Sequence, residues 1–196
     1  MLMSMELVEQ HAPPLRGERV NGQDDRARFA RIVMPHLADA YALARWLTGN
    51  STDAEDVVQD ACLRAFRGIS GFREGNARAW VLTIVRHTAY SWLGKNRMLV
   101  LTDDLEGLEG AELASDGAEA ETDMIAKTDA ARLQAAIQKL PPPFRETLVL
   151  RDLQGLDYRQ IAQVTGVPIG TVMSRLARGR RRLMAMIAKE ENDAAA

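Results

Sequence analysis

The chain has 196 residues, an apolar fraction of 46% and a formal net charge of −2, which fits one or two globular domains with real cores. Cys62 is the one cysteine, so no disulfide framework exists, and no run of about eighteen apolar residues is present to span a bilayer. The first residues, Glu6 and Glu9 among them, lack the basic-then-apolar pattern of a secretory signal, so a cytoplasmic protein is expected.

The small net charge conceals a pattern. Asp24 to Arg97 carries eleven bases against eight acids, and Ala130 to Ala196 eleven against six. Between them, Asp103 to Asp129 holds ten acids and one lysine. Two mildly basic blocks flank an acidic bridge. An extended, solvated tether between the two blocks is therefore expected.

Residues 1–23 mix Pro13, Pro14, Gly17 and Gly22 with scattered charges and read as a flexible leader. From Asp24 the period turns helical, with Phe29, Ile32, Val33, Leu37, Tyr41, Ala44 and Leu47 on one stripe and a break at Pro35. Gly49 and Asn50 end that run. Thr52, with Glu55 three residues on, predicts a capped helix to Arg67 whose inner face is Val58, Ala61, Cys62, Ala65 and Phe66. Cys62 lies in the apolar stripe without a basic partner and reads as a core residue. The opposite face carries Glu55, Asp56, Gln59 and Asp60, either solvated or a docking surface.

Arg67 to Arg78 is a glycine-bearing loop anchored by Phe72, and a long helix follows from about Ala77 to Asn96. That helix interleaves Trp80, Tyr90 and Trp92 with Arg78, Arg86, His87 and Lys95. Rings that stack on bases beside cations that follow a backbone suit single-stranded nucleic acid, although Trp80 also fits a core stripe. His87 has no second His or Cys at metal-ligand spacing, so no metal site and no cofactor are expected.

Helicity resumes near Asp123, with Ile125, Leu133, Ile137 and Leu140 as an apolar stripe. Pro141 to Pro143 interrupt it, and Phe144, Leu148 and Leu153 supply the next helix. Asp157 followed by Gln160 predicts an N-cap with its capping-box partner and a helix from Tyr158 to Thr165. Gly166 is placed to take a positive φ at a tight turn, and Pro168 suits the start of a second helix. Along that helix Val172, Leu176, Gly179 and Leu183 face inward, and Thr171, Ser174, Arg175, Arg178 and Arg182 face out. Two short helices at a sharp turn, the second rich in arginine, read as a DNA-binding helix-turn-helix. The carboxyl-terminal helix is expected to fray after about Lys189.

Three segments, Asp53 to Phe66, Ala77 to Arg97 and Leu140 to Leu183, in this order and spacing, resemble the extracytoplasmic-function group of sigma-70 family RNA polymerase sigma factors. The resemblance covers about four-fifths of the chain. It implies an all-α fold, two small helical domains joined by an acidic flexible linker: a region 2 domain over residues 24–98, the linker over 99–126 and a region 4 domain over 127–190. It also implies a subunit that recruits core RNA polymerase to promoter DNA and catalyses nothing itself.

By the same resemblance Glu55, Asp56, Gln59 and Asp60 face the beta-prime clamp, and the second domain meets the beta flap. Arg73, Asn76, Arg78, Trp80, Arg86, His87 and Tyr90 capture the melted downstream promoter element. Pro168, Thr171, Ser174, Arg175, Arg178, Arg180, Arg181 and Arg182 read the upstream element as duplex. His87 and Ser91 stand where the family commonly has Asn and Asp. An anti-sigma factor is the further partner implied.

Two other classes stay open: a stand-alone helix-turn-helix regulator, and a sigma-like interaction protein that titrates an anti-sigma factor. No dimerisation heptad supports the first, and the arginines of the last helix are superfluous to the second. Three histidines, one cysteine and no phosphate loop assemble no catalytic set.

Overall fold

The computed structural model describes residues 22–100 and 121–194. Within them the chain forms eight α-helices and no strand. The first half holds α1 (Gly22–Ile32), α2 (Leu37–Thr48), α3 (Ser51–Gly68) and α4 (Ala77–Val100); the second holds α5 (Glu121–Gln138), α6 (Pro142–Leu148), α7 (Tyr158–Thr165) and α8 (Ile169–Ala194). Residues 1–21 of the leader and 101–120 of the bridge lie outside the described residues. Gly22 and Gln23 already belong to α1, while α4 runs on to Val100 and α5 begins at Glu121, so regular structure reaches further toward the bridge than periodicity indicates.

Pro35 falls in a 3-10 turn, Met34–His36, because a proline cannot donate the hydrogen bond that would continue α1 into α2. Gly49 closes α2 at φ 93, a conformation that glycine adopts without the Cβ penalty. The cap of α3 differs from the sequence reading. Asn50, not Thr52, accepts the Asp53 N–H at 2.8 Å. Asn50, Ser51, Thr52 and Asp53 are all capping residue types, and the left-handed turn at Gly49 decides among them.

The inner face of α3 is Ala54, Val57, Ala61 and Ala65, all buried, with Val58, Cys62 and Phe66 at its half-buried margin. Alanines let α3 approach α2 and α4 closely. Leu43, Val57, Leu82 and Val85 fill the centre, each such side chain worth about 1.5–3 kcal/mol relative to exposure. Cys62 borders this core, and burial raises its thiol pKa, so the thiolate is disfavoured.

In the second half, α8 packs on α6, α7 and α5. Gly179 lets α8 lie against α6: a Cβ there would stand 3.4 Å from the Phe144 Cβ and 3.5 Å from its carbonyl oxygen. Leu153 is 50% exposed rather than part of the core. The helix widens into a π-turn over Val149–Leu153, and Leu156, just beyond Gly155, takes the buried place instead. Leu133 is likewise exposed on α5.

The two halves touch. α4 packs on α7 and α2 on α6, and one apolar cluster runs through both.

Candidate nucleic-acid interface

The turn between α7 and α8 forms as the local residues dictate. The Asp157 carboxylate accepts the Gln160 N–H at 2.8 Å, and the Gln160 side chain accepts the Asp157 N–H at 2.9 Å, a reciprocal capping box. Gly166 ends α7 at φ 71. The Pro168 carbonyl then accepts from the Val172 N–H at 3.1 Å and opens α8. Val172, Leu176 and Gly179 are buried, so the rest of α8 is held in a fixed rotational setting.

That setting divides the nominated residues. Pro168, Ser174, Arg178 and Arg181 are exposed, while Thr171 is half-buried. Arg180 is exposed but paired with Asp152, its Nη2 2.5 Å from Oδ1. Arg182 lies over the Phe144 ring, 4.7 Å from the centroid. Arg175 is half-buried rather than outward, near enough to Tyr90 and Glu146 to act on both.

On the first half, Arg73 is exposed in the loop before α4. Asn76 is the cap of α4, its Oδ1 accepting the Ala79 N–H at 3.0 Å. Trp80 is half-buried, its ring 4.9 Å from that of Phe72 and close to Gly68. The Phe72 carbonyl accepts from Arg28 at 2.6 Å, which ties the loop to α1. Arg78 donates to Asp39 at 2.7 Å and, across the halves, to the Gln154 carbonyl at 2.7 Å. The Gln154 side chain returns a bond to the Asp39 carbonyl at 2.8 Å.

Further along α4, Arg86, His87, Tyr90 and Ser91 line an open depression. Arg86 stacks over the Tyr90 ring at 4.9 Å and donates to Glu146 of α6 at 2.5 Å. Glu146 is 1% exposed, and its Oε2 has no hydrogen-bond partner. Burial raises the Glu146 pKa, although Arg86 and, more weakly, Arg175 act to lower it. Burial, with the Glu146 charge beside it, pushes the Tyr90 hydroxyl up to about 12. His87 alone of the α4 candidates past Trp80 is exposed outright.

The outer face of α3 presents Glu55, Asp56 and Gln59 to solvent, with Asp60 bonded to Arg64 one turn on, 2.8 Å apart. Leu63, 57% exposed, lies beside these acids and escaped the sequence reading. Asp39, Glu146 and Gln154 escaped it too. Glu146 did leave a trace, an acid amid the apolar positions Phe144, Leu148 and Val149.

This order of elements has known counterparts. Residues 32–98 match the description Sigma-70 region 2, and residues 130–183 match Sigma-70, region 4. An extracytoplasmic-function sigma factor, EcfG of Rhodopseudomonas palustris, is 35% identical over 79% of this chain and 82% of its own length. The chain belongs to the sigma-70 family, in its extracytoplasmic-function group. Sigma factor SigE of Mycolicibacterium smegmatis is 33% identical over 84% of this chain, which spans 63% of that protein. The sigma factor RpoE of Bartonella quintana, solved with the anti-sigma factor NepR, superimposes with a TM-score of 0.69 at 28% identity, over 82% of this chain and 96% of that one. Like other members, this sigma factor directs promoter-specific initiation of transcription. Among the described residues no helix is long and apolar enough to cross a membrane.

Proposed function

We propose that this sigma factor reads the upstream promoter element as duplex through the exposed first turns of α8, and captures the downstream element as single strand along α4 once the halves separate. The observation that carries the reading is the intact capping box and left-handed Gly166 that hold α8 with Pro168, Ser174, Arg178 and Arg181 outward. Short polar groups near a helix start reach base edges in a major groove, and arginines bind phosphate or the acceptor edge of guanine.

For the downstream element, α4 offers a cation, an imidazole and a phenol ring around one depression, which suits an unstacked base. With the halves together, Arg86 and Tyr90 face Glu146, and Arg78 holds Gln154. Capture of a strand at those residues therefore follows departure of α6 and α7 from α4. The acids of α3 are the docking surface for the beta-prime clamp of core RNA polymerase, and the second half meets the beta flap. An anti-sigma factor is a partner by likeness to the RpoE complex with NepR. The chain acts in the cytoplasm, without catalysis or cofactor of its own.

Run-off transcription tests this directly. The purified chain added to core polymerase is expected to start transcripts at defined sites that core alone does not use. Replacing Arg178 and Arg181 by alanine removes two phosphate-range cations, so promoter binding weakens and the log–log salt slope shrinks by about 2. Polymerase binding stays unchanged. Loss of polymerase binding in that double variant, or no site-specific start with the unaltered chain, overturns the proposal.

A further inference from the structure

Two apolar side chains stand in the open where α8 begins. Ile169 is 41% and Met173 52% exposed, one turn apart on the same flank. Packing within the chain accounts for neither, because the inward stripe is already complete with Val172, Leu176 and Gly179. Around them the helix surface is small: Gly170, Ser174 and Ala177 are all exposed. A Cβ built on Gly170 would meet nothing within 4 Å, so the chain's own packing does not demand a glycine there. Its absence of a side chain leaves the flank of Met173 clear for close approach by a large, smooth surface.

The outward face thus has two chemistries. Arg178 and Arg181 make one flank cationic. On the other flank the next cation, Arg180, is seven residues past Met173 and is drawn back onto Asp152 by bonds of 3.1 and 2.5 Å. Ahead of that ion pair, the surface of Ile169 and Met173 is apolar. A DNA major groove presents one apolar group, the C5-methyl of thymine, and otherwise only hydrogen-bonding edges.

We propose that Met173, backed by Ile169, determines promoter specificity by apolar contact with a thymine methyl group in the upstream element. This rests on the reading of α8 as the helix that enters the groove. Serine and arginine discriminate by hydrogen bonds and leave the methyl unread. Methionine, unbranched and polarisable, fits itself to a methyl without a fixed shape. Covering one methyl is worth about a fourfold gain in affinity. The contact also removes an exposed thioether from water, so it costs no polar desolvation.

The test uses holoenzyme reconstituted from the full chain and core polymerase, on a promoter fragment from which it initiates. Each thymine of the upstream element is replaced in turn by deoxyuridine, which lacks only the methyl. Binding by the unaltered protein is expected to fall about fourfold at one or two positions. Met173→Ala abolishes that difference, and Met173→Leu keeps most of it. Because residue 173 is exposed and alanine favours helix, the variant folds. Arg178→Ala serves as the reference: it weakens thymine and deoxyuridine promoters alike and leaves the methyl effect intact. If no substitution by deoxyuridine matters, or if the effect survives in Met173→Ala, the methyl contact is wrong. Should Arg178→Ala also leave binding unchanged, the entry of α8 into the groove fails as well, which separates the two ideas.

Discussion

α4 and α8 are both long helices bearing cations, yet their cations are differently employed. On α4, Arg78 and Arg86 bond to Gln154 and Glu146 of the other half. On α8, Arg178 and Arg181 stand in solvent. The difference is one of availability: duplex can reach the second surface from outside, while a single strand reaches the first only after protein contacts break. On the function proposed above, this difference orders the events, with upstream contact first and strand capture later.

The largest effect is expected where that comparison is easiest to break. Arg86→Ala leaves the Glu146 carboxylate buried without its bonded counter-charge and with only the weaker influence of Arg175, a defect that costs up to about 3–5 kcal/mol. Separation of the halves relieves it by admitting water. Energy transfer between dyes on the outer faces of α3 and α8 should fall, and the radius of gyration should rise. Glu146→Gln keeps a hydrogen-bonding partner for Arg86 without the buried charge, so that variant stays closed. Equal compactness in Arg86→Ala and the unaltered chain would mean that this pair does not hold the halves.

The same residue gives a dependence on pH. The Glu146 pKa is raised by burial above the unfolded value of about 4.3. The native state therefore holds its proton more tightly than the unfolded chain does. Its contribution to stability is complete below the unfolded pKa and is lost as pH rises through the native one. Urea titrations of the unaltered protein and Glu146→Gln at several pH values isolate it. The unaltered protein should lose stability relative to the variant as pH climbs across that window, and the difference should level off above it.

A smaller change touches both sides of the comparison at once, since α7 packs on α4 and on α8. Asp157→Ala removes one arm of the capping box and costs about 1 kcal/mol, or roughly 2–4 °C in Tm for a chain of this size. Thermal unfolding by circular dichroism measures it. Gly179→Ala should be nearly silent. Its new Cβ sits 3.4 Å from that of Phe144, a tight contact that offsets the helix propensity gained, about 1 kcal/mol. A large loss of stability there would show that the α6–α8 contact tolerates no adjustment.

What could be read beforehand follows from how far each interaction reaches along the chain. Asp157 and Gln160 are three residues apart, and Gly166 adopts the φ its position demands, so the helix-turn-helix was legible from local spacing. The capping of α3 was blurred because four adjacent residues compete for the role. The bond from Arg86 to Glu146 spans sixty positions, and no short-range pattern encodes it. Aromatic and basic residues interleaved on α4 look alike whether they await nucleobases or another helix. Asn76 and Trp80 show the same ambiguity at closer range, the one capping α4 and the other packed on Phe72. Ile169 and Met173 carry no local signal of exposure, because an apolar residue one turn into a helix reads equally well as core.

The ties from Arg180 to Asp152 and from Arg182 to Phe144 carry one more consequence. Long guanidinium side chains ordinarily forfeit rotamer freedom when a ligand immobilises them, about 0.5–1.5 kcal/mol apiece. Here Arg182 gave up part of that freedom to the Phe144 ring during folding. Arg180 is spent on a carboxylate instead, so it reaches a polyanion only by exchanging one anionic partner for another.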